Sequence, residues 1–147
     1  MKALIKNVIS TNAGFDTLAL RLSAGVIFTA HGAQKLFGWF GGYGLEGTAG
    51  WMASIGIEPG YLMALMAGSA EFFGGLFLIL GLLVRPSSIV LALTMVVAIV
   101  TVHLEHGLFM SNGGYEFALA LLAISVGLAV RGAGSVSLDR RIQKNLA

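Results

Sequence analysis

The sequence predicts an all-α membrane protein: a four-helix bundle with a short periplasmic interfacial helix between its first and second long helices. Three observations carry this reading. Only 11% of the 147 residues are charged, 56% are hydrophobic, and the mean hydropathy is +0.86. A soluble domain carries about 25% charged residues, so this chain has too few to build a water-exposed surface. Four apolar spans follow one another, each near the ~20 residues that cross ~30 Å of hydrocarbon as a helix. Finally, Arg21, His31, Lys35, Glu71, His103, Glu105, His106 and Glu116 lie within or at the edges of those spans. A charge at a helix centre costs about 2.5–3.5 kcal/mol on insertion scales, so such groups persist where they face one another, face water or do chemical work.

Residues 1–14, with Lys2 and Lys6, read as a cytoplasmic N-terminal segment able to form an amphipathic turn. No small-x-small cleavage site closes the apolar stretch that follows, so a cleaved leader is not expected. The spans run over about 15–37, 61–84, 87–104 and 113–130, within a four-span domain of residues 15–131. A lone strand would leave its backbone groups unsatisfied in lipid, so each span is a helix. Arg85-Pro86 joins spans two and three as a tight hairpin, proline being suited to a first helical turn. Residues 132–147 form a cytoplasmic tail.

The 38–60 connection contains Leu45, Ala49, Met52 and Ile55 near helical spacing, with Trp39, Tyr43, Trp51 and Tyr61 as interface-type residues. It predicts a short helix on the membrane surface that turns Trp51 and Met52 toward the bundle; a merely tethered loop is the alternative. Lys2, Lys6, Arg85, Arg131, Arg140, Arg141 and Lys144 all fall on one side of a four-span arrangement, so the positive-inside rule puts both termini in the cytoplasm. The sequence pI near 9.2 reflects only two excess positive charges and implies no nucleic-acid partner.

The polar residues converge on one region. Arg21, Phe28, His31 and Lys35 share an arc of span one, and Glu71 is near the middle of span two among Gly68, Gly74 and Gly75. A carboxylate at that depth is either protonated or paired with a cation. Counting depth at ~1.5 Å per residue predicts an outward-opening pocket lined by Lys35, His31, His103 and Glu116, floored by Glu71. Arg21 lies below, pairing with Glu71 or snorkelling to cytoplasmic headgroups. Lys35 could instead be an interface anchor, and Glu116 a carboxylate favoured by a helix N-terminus. His103 and His106 lack a clear third ligand, so no metal is expected. With no cysteine in the chain, thiolate catalysis by this protein is excluded.

Arg21-x3-Gly25, His31-Gly32-x2-Lys35-Leu36, Glu71-x2-Gly74-Gly75, Gly81-Leu82-x2-Arg85, Asn112-x-Gly114-x-Glu116 and Gly132-x-Gly134-x2-Ser137-Leu138-Asp139 follow one another over about residues 15–139. In order and spacing they resemble the DoxX family of small four-helix bacterial inner-membrane proteins. The resemblance implies an oxidoreductase or an oxidoreductase subunit, in a family related to subunits of a thiosulfate:quinone oxidoreductase and linked to thiol and oxidative stress. It also implies a polar core of Arg21, Lys35, Glu71 and Glu116.

Two classes of function follow. In the first, the pocket holds a quinone or quinone-like ligand: Arg21, His31, Lys35 and His103 bind it, and Glu71 and Glu116 are the catalytic proton carriers. In the second, the chain is a non-catalytic membrane subunit whose charges are a structural network and whose role is to dock a soluble redox or stress-response enzyme. A transport pathway would need more helices than one copy supplies, hence a homodimer.

Overall fold

The structure, a computed structural model, describes residues 7–11 and 13–145. Residues 1–6 and 12 of the segment expected to form the amphipathic turn fall outside them. The described chain is all-α. Helix α1 (Asp16–Phe37) leads through a single turn at Trp39–Gly41 to the short α2 (Gly44–Ser54). Helix α3 (Gly60–Leu80) and helix α4 (Val84–Ala98) form a hairpin. The α4 axis continues through a widened π turn at Ile99–His103 and a tight turn at Leu104–His106. A looped segment then leads to α5 (Glu116–Arg131), and α6 (Leu138–Asn145) ends the described chain.

The four long helices form a closed ring of neighbours: α1 packs on α3, α3 on α4, α4 on α5 and α5 on α1. Their shared core holds Ala24, Phe28, Leu78, Leu91, Leu121 and Leu128. Outward faces stay apolar, with Val26, Met66, Phe73, Leu93, Val126 and Val130 exposed. Two helices, Gly60–Leu80 and Val84–His106, are both long and apolar enough to cross a membrane. Helix α1 matches them in length but carries Asp16, Arg21 and Lys35, and α5 has only 16 residues, about 24 Å at 1.5 Å per residue.

The closest approach is between α1 and α3. Each contributes glycines seven residues apart, Gly25 and Gly32 on α1, Gly68 and Gly75 on α3. A Cβ added at Gly75 would lie 2.5 Å from the Thr29 backbone nitrogen, and one at Gly25 would lie 2.7 Å from Ile79. The backbones therefore touch, as small residues permit where lipid offers no hydrophobic drive for helix association.

Where the sequence places the α3–α4 join at Arg85-Pro86, the turn is Gly81–Leu83. Gly81 has φ +67°, and a Schellman pair, Gly81 N–H to Leu78 O and Leu82 N–H to Phe77 O, closes α3. Asp139 supplies the reason α4 can begin at Val84: its carboxylate accepts from the Leu83 and Val84 amides at 2.8 and 3.0 Å. Pro86 then sits in the first turn, where its missing N–H costs nothing. The short α2 lies where expected, but with Thr48, Ala49 and Met52 inward while Trp51 is 40% exposed. Residues 48, 49 and 52 occupy one helical face, and position 51 turns away from it.

Gly75→Ala should lower thermal stability by about 1–3 kcal/mol, the usual cost of overpacking. Gly127→Ala is the control: that glycine faces open space in mid-helix, so the variant should be neutral or slightly stabilised. Equal melting temperatures for the two variants in one detergent would show that the α1–α3 approach is not under tension.

Candidate functional site

The glycine contact sets up the first polar feature. Gly68 leaves room for the side chains of Leu36 and Lys35 against α3. The Lys35 stem lies along that surface, and its Nζ reaches Glu71 Oε2 at 2.5 Å. The Glu71 side chain is 5% exposed and Lys35 25%. Glu71 is therefore paired with the span-one cation nearest in depth, and not with Arg21.

Beside this pair is a cavity of about 290 Å³ bounded by α1, α3, α4, α5 and the segment before α5. His31, Lys35, Glu71 and His103 give it a polar side, Phe28, Met95, Phe117 and Leu121 an apolar one. Met110, Gly113 and Gly114 of the 107–116 segment also line it. His31 on α1 and Phe117 on α5 are both exposed, with ring centroids 6.2 Å apart, and both line the cavity.

His103 reaches the cavity because α4 widens into a π turn just there, a deviation common at functional sites. Its Nδ1 contacts Gly113 O at 2.7 Å. A carbonyl can only accept, so Nδ1 carries the proton and Nε2 is left for another partner. His106 makes the equivalent bond to Val102 O at 3.0 Å. Among the described residues no three His, Asp or Glu side chains gather as a metal site would require.

Two residues assigned to the site from sequence lie outside the cavity lining. Glu116 is exposed, and its Oε1 accepts from Met110 N–H at 2.7 Å. With Glu116 N–H to Leu108 O and Tyr115 N–H to Gly107 O, it closes the 107–116 segment on itself and so holds Met110 and Gly113 in place. Arg21 is at the opposite end of the bundle, 1% exposed, its Nη2 donating to Val136 O at 2.7 Å. Glu71 is not its partner. The chain after α5 folds back beneath α1 and encloses it.

That end is heavily cross-tied. Arg85 donates to Ser10 O and Ala129 O, each at 2.8 Å, and Thr17 Oγ1 to Ala133 O at 3.1 Å. Arg131 pairs with Asp16 at 2.6 Å. Burial pushes the Asp139 carboxyl above the usual carboxylate range, and the Val84 and Leu83 amides and the Arg21 guanidinium draw it back.

Residues 17–104 match the DoxX family. The chain belongs to the DoxX family. Curated relatives extend the likeness over both ends. One is "Putative oxidoreductase CatD" of Bacillus subtilis, 38% identical over 87% of this chain and 89% of its own length. Another is "Inner membrane protein YqjF" of Escherichia coli, 32% identical over 86% of this chain and 92% of its own. "Uncharacterized membrane protein Rv3486" of Mycobacterium tuberculosis is 31% identical over 88% and 82%. No solved structure matches the chain. This DoxX protein is thus a membrane protein, in accord with its apolar exterior.

The DoxX match covers α1 to α4 and therefore the Lys35–Glu71 pair, but not the 107–116 segment. Glu71→Gln keeps the shape of the side chain and removes its charge, leaving a partly buried ammonium uncompensated. Because Lys35 retains some solvent access, the expected loss is about 2 kcal/mol, below that of a fully buried pair. Adding Lys35→Met should recover part of it, as a double-mutant cycle of melting temperatures can measure. Strict additivity would mean that the two groups do not interact.

Proposed function

We propose that this DoxX protein binds a quinone or quinone-like ring compound in the 290 Å³ cavity, and acts as an oxidoreductase or as the membrane subunit of one. The observation that carries the reading is the cavity's division into an apolar wall and a polar wall. Ligand sites are typically apolar with a few convergent polar groups. A ring would lie against Phe28, Met95 and Leu121 while Lys35 and His31 offer hydrogen bonds to its carbonyl oxygens; His103, whose Nδ1 proton is given to Gly113 O, would accept through Nε2 from a hydroxyl of the reduced form. Exposed His31 and Phe117 in the lining would let a ligand arrive from the bilayer between α1 and α5 and leave its tail there.

No side chain of the chain stores electrons readily, so the protein would supply binding, orientation and protons. Reduction of a quinone takes up two electrons and two protons. The electrons would come from a redox partner that docks at the membrane surface. Protons would pass through the Lys35–Glu71 pair, since Lys35 also lines a second cleft, of about 370 Å³, open at Gly42, Tyr43 and Trp51. Glu116, being outside the cavity, serves by holding the 107–116 segment. A cavity beside paired charges favours this reading over a subunit that only docks another protein, for which the ion pair alone would suffice.

We also infer four membrane spans in the bacterial inner membrane, with both termini cytoplasmic. The cross-tied end carries Arg85, Arg131, Arg140 and Arg141, and the cavity end carries Glu46, Glu58 and Glu105. Reporter fusions after residue 147 and within α2 should fall on opposite sides; a shared side would discard this topology.

Titration calorimetry with a short-tailed quinone on the detergent-purified protein should give saturable binding. His31→Ala should weaken it roughly tenfold, the equivalent of one hydrogen bond, and Ala98→Phe, which fills the cavity wall, should abolish it. Binding that survives Ala98→Phe in a protein of normal melting temperature would place the ligand elsewhere, and no binding at all would end the quinone reading.

A further inference from the structure

The cross-tied end holds a second recess that the cavity reading leaves unused. It measures about 620 Å³ and lies between α1, the end of α3 and residues 135–141. Leu18, Leu22, Ile79 and Leu80 give it an apolar wall, and Arg21, Arg141 and Ser135 lie at its polar end. Leu22 and Leu80 are exposed on the outward faces of their helices, so the apolar wall runs out onto the lipid-facing surface.

Arg21 is out of balance there. Its side chain is almost fully buried, yet Nε and Nη1 have no hydrogen-bond partner among the described residues. Buried guanidinium donors left unsatisfied are costly, and native proteins satisfy nearly all such groups. The Asp139 carboxylate offsets part of the charge through space, but it accepts from the Leu83 and Val84 amides and makes no hydrogen bond to Arg21 among the described residues. Arg141 adds a second positive charge at the edge of the recess, and it is exposed. Two guanidinium groups and a hydroxyl around one recess match a phosphate-type anion, to which arginine donates in bidentate geometry.

We propose that this recess binds a phosphate-bearing anion, supplied by an anionic phospholipid whose headgroup meets Arg21, Arg141 and Ser135 while an acyl chain lies along Leu22 and Leu80. The site is independent of the cavity at the other end of the bundle. It would tie α1, the α3–α4 turn and the segment before α6 to the lipid leaflet on that side, as basic recesses between spanning helices do for anionic headgroups.

The test is thermal unfolding of the full chain in detergent with added phosphatidylglycerol, phosphatidylcholine or inorganic phosphate. Phosphatidylglycerol should raise the melting temperature by a few degrees and phosphatidylcholine should not, since binding to the folded state alone stabilises it. Arg141→Gln is exposed and should fold normally; its apparent affinity for phosphatidylglycerol should fall roughly tenfold with the loss of a charged donor. Lys144→Gln removes an equal charge outside the recess and should keep the wild-type response. Inorganic phosphate that reproduces the shift alone supports the anion site and assigns it to a soluble ligand; a response to phosphatidylglycerol only assigns it to lipid. Equal responses to both lipids, equal losses in the two variants, or no response to phosphatidylglycerol and phosphate would overturn the proposal. Arg21→Gln, if it folds, should abolish the response, and a retained response in it would equally overturn the proposal.

Discussion

The backbone contact between α1 and α3 is the constraint on which the rest of this structure depends. In lipid, burying apolar surface gives helices little reason to associate, because the tails are as apolar as the side chains. Association must come from close packing and from polar groups that find each other. Gly25, Gly32, Gly68 and Gly75 supply the packing by leaving room at the seam for the facing backbone and side chains to come close. That proximity brings Lys35 within reach of Glu71, and the ion pair in turn fixes which turn of α1 faces which turn of α3. A slip by one helical turn would leave a carboxylate and an ammonium separately unpaired in a medium that punishes both.

The two ends of the bundle use polar groups differently. At one end Arg85, Thr17, Arg131 and Asp139 each connect segments far apart in sequence, chiefly by bonds to backbone carbonyls and amides. These contacts close the places where helices must turn and where backbone groups would otherwise lack partners. At the other end the polar side chains converge on an enclosed space, and the backbone is less regular: a π turn in α4, two tight turns and a segment closed on itself. Irregular backbone at membrane depth is tolerated where it lines a cavity. The regular end gives the irregular end something rigid to stand on.

Sequence periodicity made the long helices and the short helix between the first two legible, because those follow from spacing along one segment. Glu71's need for a partner was legible from burial alone. What was hidden depended on residues remote in sequence. Asp139 shifts the start of α4 from 55 positions away, and the folded-back segment at Val136 gives Arg21 a carbonyl that no reading of span one could supply. Glu116 shares the depth of the cavity groups, but it caps a loop, since depth along a helix says nothing about which direction a terminal side chain takes. The π turn left no mark in Ile99-Val100-Thr101-Val102-His103, as one extra residue in a turn changes no composition.

Under the proposed reading, the ion pair that secures the helices is also the group a ligand would meet, and this couples structure to chemistry. Lys35 is bonded to Glu71, lines the cavity and lines the outer cleft. A ligand oxygen that draws a hydrogen bond from Lys35 would compete with the carboxylate for one ammonium. A neutral carbonyl competes weakly; a reduced, anionic oxygen competes strongly, because charge-assisted hydrogen bonds are roughly twice as strong as neutral ones. The site would therefore hold the reduced form more tightly until a proton neutralises it, and a proton delivered by the pair would restore the Lys35–Glu71 contact once replaced from the cleft. A purely structural ion pair has no use for access from two sides; one that exchanges protons with a ligand requires it.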